Sequence, residues 1–149
     1  MEIHGTVRDI LQGKGDVVWT TSPQHTVFEA VGLMSEKNIG ALVAVEEGKV
    51  IGILSERDYS RKVVLQGRGS RDTLVGEIIT RPAVTVRSDD SIEHCMQIMT
   101  TRRIRHLPVV DGGKLIGLVS IGDLVSWVMQ SQRHTIQQLR GYISGEYPG

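Results

Sequence analysis

Gly52-Ile53-Leu54-Ser55-Glu56-Arg57-Asp58 returns sixty-five positions later as Gly117-Leu118-Val119-Ser120-Ile121-Gly122-Asp123. Outward from this pair the register holds without a gap. Thr20 matches Thr85, Met34 matches Met99, Ile39 matches Ile104, Leu42 matches Leu107 and Val45 matches Val110. Gly48-Lys49 likewise matches Gly113-Lys114, and Ile51 matches Ile116. Self-similarity at a fixed period dictates architecture. One chain therefore carries two copies of one small unit, and what recurs most strictly is a strand-to-helix junction, a place where ligands bind.

The order of elements predicted within each copy is the same. Val17-Val18-Trp19 and Val84-Thr85-Val86 read as short opening strands. Helices follow, with apolar stripes at Val27, Ala30, Val31, Met34 and at Ile92, Cys95, Met96, Met99, the i, i+3, i+4, i+7 spacing of a core-facing side. Thr26 and Ser91 precede the stripes as N-caps, and Glu29 adds a capping box to the first. Two apolar strands come next, Leu42 to Val45 and Val50 to Leu54, then Leu107 to Val110 and Leu115 to Val119. Glu46-Glu47-Gly48-Lys49 and Asp111-Gly112-Gly113-Lys114 turn them into hairpins. Each second strand runs into a helix near Ser55 or Ser120. The unit is β-α-β-β-α, a mixed α/β (α+β) class, too small to bury its faces alone.

These boundaries give a first unit at 7–66, a polar Gly-rich linker at 67–73, a second unit at 74–130, and a helix with tail at 131–149. Val7 to Leu11 and Leu74 to Ile79 read as short helices leading into the first and second copies. In the tail, Ile136, Leu139 and Ile143 stand at helical spacing before Gly145 and Pro148, an appended amphipathic helix.

Composition narrows the class. The 149 residues hold 17 Lys plus Arg against 17 Asp plus Glu, so a dominant attraction to nucleic acid or anionic membrane is not implied. Apolar runs such as Ala41 to Val45 are strand-length and cannot span a bilayer. Met1-Glu2-Ile3-His4-Gly5 lacks the charged region and apolar core of a signal peptide. Cys95 is the single cysteine, which points to a reducing compartment. The expectation is a soluble cytoplasmic protein.

Ser-x-x-Asp at both junctions reads first as a capping box, stabilising by about 1 kcal/mol. Its recurrence after Gly52 and Gly117 adds a second reading. Glycine permits close backbone approach, and a helix N-terminus offers N–H groups to an anion. An aspartate one turn in can accept both hydroxyls of a ribose, at roughly 1.5–3 kcal/mol per bond to a charged acceptor. Capping and binding can coexist.

The repeat, the Gly-h-h-Ser-x-x-Asp junctions (h apolar), Ile104-Arg105-His106-Leu107-Pro108-Val109-Val110 and Glu77-Ile78-Ile79-Thr80-Arg81-Pro82 together resemble a CBS domain pair, or Bateman module, from about Val7 to Met129. The resemblance implies two β-α-β-β-α units related by pseudo-twofold symmetry, with adenosine derivatives bound in two clefts between the sheets. A chain without an attached effector is similar to the stand-alone type. Ser55 to Lys62 and the Tyr142-Ile143-Ser144-Gly145 ending resemble bacterial members that accept AMP or NAD.

Carried over residue by residue, the resemblance implies two sites. In the first, Asp58 holds ribose hydroxyls, Ser55 and Arg57 lie near the phosphate, Ile53, Thr80 and Val84 line the adenine slot, and Ile104-Arg105 close it. His106, next to Arg105, is a further phosphate-facing candidate. In the second, Asp123 and Ser120 take those roles, with Leu118 and Trp19 lining the slot and Ile39-Gly40 closing it. The copies differ where Arg57 aligns with Gly122 and Arg105 with Gly40, so the first cleft gathers cations. The Asp58 cleft is therefore expected to prefer the more phosphorylated or dinucleotide ligand.

Elsewhere the residues suggest structure. His25, His94, His106 and His134 lack metal-ligand spacing, so no metal is expected. Cys95 aligns with Ala30 on the buried stripe and reads as a packed, inert thiol. Arg102-Arg103-Ile104-Arg105-His106 lacks the interleaved aromatics of a nucleic-acid surface. Pro108 reads as the start of a strand. No carboxylate pair or nucleophile–base set appears, so an enzyme is not expected. The leading function is a regulatory module sensing AMP, NAD or ATP and signalling to an unknown effector protein. The alternative is a structural dimerisation module with vestigial clefts. A homodimer is expected through helix faces flanking the clefts, with Tyr59, Trp127 and Val128 read equally as contact residues or as core.

Overall fold

In the computed structural model, which describes residues 3–15 and 17–144, the repeat of sequence is a repeat of structure. The first copy contains β1 (Thr20–Thr21), α2 (Val27–Lys37), β2 (Ala41–Glu46), β3 (Lys49–Ser55) and α3 (Glu56–Tyr59), which continues as a π-turn over Ser60–Val64. The second contains α4 (Ile92–Arg102), β4 (His106–Asp111), β5 (Lys114–Ser120) and α5 (Ile121–Ser144). Ahead of them lie α1 (Val7–Lys14) and, between the copies, a single 3₁₀ turn at Val75–Glu77.

Local chemistry is duplicated with the sequence. Thr26 Oγ1 accepts from Glu29 N and Ser91 Oγ from His94 N, so both α2 and α4 start on a side-chain cap. Both end on a left-handed residue, Asn38 at φ 54° and Arg103 at φ 55°. The antiparallel pairs β2–β3 and β4–β5 carry a register shift at the same place, Ala44/Val45 and Val109/Val110.

The leading segments cross over. The predicted counterpart of Leu74–Ile79, α1, does not pack on the first copy. Val7 and Ile10 lie in one core with Ile92, Cys95, Met99, Leu107, Val119 and Leu124, all of the second copy. Val75, Ile78 and Ile79 lie in the other core with Val27, Met34, Leu42, Leu54 and Val63 of the first. Backbone bonds fasten each exchange: Val7 N to Asp90 O and Ile92 N to Gly5 O on one side, Val27 N to Thr73 O and Val75 N to His25 O on the other. Each half lacks enough apolar surface of its own, and the segment that completes it comes from the other end of the repeat.

Three expectations need correction. The opening strand lies at Thr20–Thr21, paired in parallel with Val43 and Ala44, because Thr21 is buried whereas Val17 stands 71% exposed. In the second copy only Val86 bridges Val109. The tail is no appendage: α5 runs unbroken from Ile121 to Ser144. Leu139 on it is exposed, while the side chains of Ile136 and Ile143, and the residues Gly145 and Pro148, lie outside what is described. Pro108 is the third residue of β4. Its carbonyl accepts from Val86 N, so its missing N–H faces that thinly bonded edge rather than β5.

Candidate functional site

The first cleft grows from the end of β3. Ser55 N donates to Asp58 Oδ2 at 2.9 Å while Asp58 N donates to Ser55 Oγ at 3.2 Å, the reciprocal capping box. The carboxylate is thereby fixed one turn into α3, and Asp58 is only 7% exposed. Its other oxygen accepts from Thr80 Oγ1 at 3.1 Å and pairs with Lys62 Nζ at 3.0 Å. Thr80 is placed by a backbone bridge to Ile53, with N–H to carbonyl bonds of 3.1 and 3.2 Å in the two directions. Gly52 makes that bridge possible, since a Cβ there would sit 2.6 Å from Thr80 O. The glycine admits the chain's own backbone.

A cavity of about 430 Å³ opens over this carboxylate. Its walls are Gly40, Ile53, Ser55, Glu56, Arg57, Asp58, Arg61, Lys62 and Thr80 from one side and Arg103, Ile104, Arg105 and His106 from the other. Eight of the nine residues assigned to the first site are thus together. Val84 is not; it packs against the second half's core. Arg61, Lys62 and Arg103 were missed, although Arg57/Arg61 and Asp58/Lys62 stand at i, i+4, the spacing that places side chains on one face of a helix.

The helix end contributes less to an anion site than its sequence suggests. Glu56 N is taken by Gly40 O and Asp58 N by Ser55 Oγ. Cationic side chains carry that role instead. Arg57, Arg61, Arg103 and Arg105 also line an adjoining cavity of about 600 Å³ with Thr100 and Ile121. Among the described residues none of these four guanidiniums has a carboxylate within ion-pair distance. His106 completes the wall, its imidazole pKa held below the ordinary value by burial and the Lys14 ammonium against the pull of Asp123.

The second cleft is arranged otherwise. Asp123 keeps the capping box, with Ser120 N donating to Oδ2 at 2.8 Å and Asp123 N to Ser120 Oγ at 3.2 Å. Lys14 Nζ then reaches in from α1, 2.6 Å from Asp123 Oδ2 and 2.7 Å from Leu118 O. Burial works against ionisation of Asp123, but Lys14 and Ser120 outweigh it and hold the carboxyl below the usual range. Leu11 covers Gly117, where a Cβ would meet its Cδ2 at 2.7 Å. Three of the other residues assigned here have contacts on the side of the first copy. Trp19 lies under the Lys37 ammonium at 4.3 Å, Ile39 packs against the first core, and Gly40 faces the first cavity. Gly122 offers no side chain where Arg57 stands in the other copy.

Comparison with known proteins agrees with this architecture. The CBS domain family matches the chain twice, over residues 6–64 and 75–130. A mitochondrial CBS domain-containing protein of Arabidopsis thaliana, CBSX3, is 41% identical over 152 aligned positions, covering 95% of this chain and 73% of that protein. Among solved structures, a CBS-domain protein of Burkholderia ambifaria is 49% identical, with a TM-score of 0.82 over 86% of this chain and 96% of that one. The CBS domain pair of protein MJ0100, solved with 5′-methylthioadenosine and S-adenosyl-L-methionine, is 28% identical with a TM-score of 0.75, covering 86% and 98%. With two matched units, a shared fold and a duplicated Ser-x-x-Asp junction, the chain belongs to the CBS-domain family as a tandem pair.

Proposed function

We infer that the chain is a regulatory module that binds an adenine nucleotide in the cleft over Asp58 and passes the change to a partner protein. CBS pairs are regulatory, signal-transducing modules. The observation that carries the nucleotide reading is the composition of the 430 Å³ cavity: the fixed Asp58 carboxylate and that of Glu56, apolar Ile53 and Ile104, and five cationic side chains converging from both copies. A carboxylate suits a ribose diol, the isoleucines suit a purine face, and the guanidiniums suit phosphates, which they can meet bidentately. The surplus of unpaired cations favours ATP or a dinucleotide such as NAD over AMP.

Thermal melting with and without AMP, ATP and NAD tests this. At a hundred times its dissociation constant a ligand adds about 2.7 kcal/mol, a rise of roughly 5–10 °C for a domain of this size. Asp58→Ala is expected to weaken binding roughly 10- to 150-fold, the value of a hydrogen bond to a charged acceptor. No shift with any of the three leaves the structural dimerisation module. Equal weakening by Asp58→Ala and Asp123→Ala removes the preference for the first cleft.

A further inference from the structure

The two clefts solve the same hydrogen-bonding problem with different groups. In the first, the Ile53 carbonyl and the Asp58 carboxylate are met by Thr80, one through its N–H and the other through its hydroxyl, both at 3.1 Å. The repeat places Gly15 where Thr80 stands, and Gly15 has no hydroxyl. Its N–H is spent on Leu11 O, closing α1. In the second cleft Leu118 O and the Asp123 carboxylate are both met by the single ammonium of Lys14, on the oxygen, Oδ2, that also accepts from Ser120 N. A neutral rotatable hydroxyl can share its carboxylate with a sugar. Lys14 must leave the cleft's own carbonyl and carboxylate together, and Leu118 O then loses that donor while Asp123 Oδ2 keeps Ser120 N.

We propose that Lys14 is a tethered occupant of the second cleft that keeps it closed to nucleotides, so that each chain takes one adenine nucleotide, over Asp58. This rests on the functional reading above. At two positions the second cleft lacks an offsetting cation, since Gly122 and Gly40 stand where the first has Arg57 and Arg105. Asp58 also carries an ammonium, that of Lys62, which likewise bonds a backbone carbonyl, Ile78 O at 2.9 Å, but Lys62 comes from the same helix as Asp58 rather than from a crossing segment. Lys62 sits four residues on from Asp58 and lines the open cavity, so it can leave Asp58 and Ile78 O for a phosphate without moving backbone. Lys14 arrives on α1, which Val7 and Ile10 root in the second core and Leu11 seats on Gly117.

Calorimetric titration with AMP, counting sites per chain on protein with unchanged circular dichroism, tests the idea. One site is expected for the unmodified chain and for Lys14→Arg, and two for Lys14→Met. The added site is expected to vanish again in Lys14→Met/Asp123→Asn and to survive alone in Lys14→Met/Asp58→Asn. Should Lys14→Met fail to fold, Lys14→Gln keeps a donor for Leu118 O and carries the same expectation. Two sites in the unmodified chain, or a folded Lys14→Met that still binds one, overturns the proposal while leaving the adenine-nucleotide reading intact. Absence of AMP, ATP and NAD binding from every variant removes that reading, and the proposal with it.

Discussion

Arg103 stands at a conflict between folding and binding. It ends α4 in the left-handed region, where a side chain costs about 1–2 kcal/mol relative to glycine. Its counterpart Asn38 tolerates that conformation better, yet Arg103 places its guanidinium in the cleft wall. Arg103→Gly is expected to gain about 1 kcal/mol, raising Tm by roughly 2–4 °C, and to weaken ATP binding in the same protein. A variant that loses both would refute this account. His106 supplies a pH test. Its folded pKa lies below the ordinary 6.5, with burial the largest cause and Lys14 next. As pH falls through 6.5 the unfolded chain takes up the proton first, so stability is present above that value and lost below it. The unmodified chain should lose more Tm between pH 7.5 and 5.5 than His106→Gln does. Cys95, by contrast, is fully buried, and burial, reinforced by Asp90, pushes its thiol up to about 11, as its place on the apolar stripe of α4 led one to expect.

The junction glycines differ in what they face, and their substitution separates two kinds of crowding. A Cβ on Gly52 would meet a backbone oxygen, Thr80 O, at 2.6 Å, whereas one on Gly117 would meet the far end of Leu11. Backbone cannot rotate away; a leucine tip can. Gly52→Ala is therefore expected to cost about 3 kcal/mol, at the upper end of overpacking, and to lower Tm by roughly 6–12 °C in calorimetry. Gly117→Ala should cost about 1 kcal/mol. Comparable losses would mean that the Ile53–Thr80 bridge yields as easily as a side chain. Helices α2 and α4, their N-caps and the hairpins were legible because they rest on local periodicity and short-range contacts. The capping box read at Thr26 and Glu29, however, forms only its Thr26 half, and Leu74–Ile79, read as a helix, holds only a 3₁₀ turn at Val75–Glu77. The opening strands were misread because two residues of edge pairing carry no periodicity. Thr80 could be assigned to the first cleft through family resemblance, but nothing local tied Lys14 to Asp123, 109 positions away.

Exchange of the leading segments has a consequence for the unfolding of the whole chain. Two tandem repeats joined by a polar linker would ordinarily be able to melt separately, each on its own core. Here the first core depends on Val75, Ile78 and Ile79 from beyond the linker, and the second on Val7 and Ile10 from before the first copy. Burying an aliphatic side chain is worth about 1.5–3 kcal/mol. A fragment ending at residue 72 would thus forgo roughly 5 kcal/mol or more, as much as the total stability of many domains. The fragment is expected to remain unfolded by circular dichroism, and a chain lacking residues 1–14 to lose much of its stability. The full chain should show a single calorimetric transition whose van't Hoff and calorimetric enthalpies agree. Two resolved transitions, or a folded fragment 1–72, would mean that each copy completes its own core and that the crossing of α1 contributes little. The same coupling provides a route for regulation, because both segments that cross end at an aspartate of a cleft, Lys14 at Asp123 and Thr80 at Asp58. A ligand that shifted Thr80 would pull on the segment completing the first core, and would be expected to change how the two halves are held together.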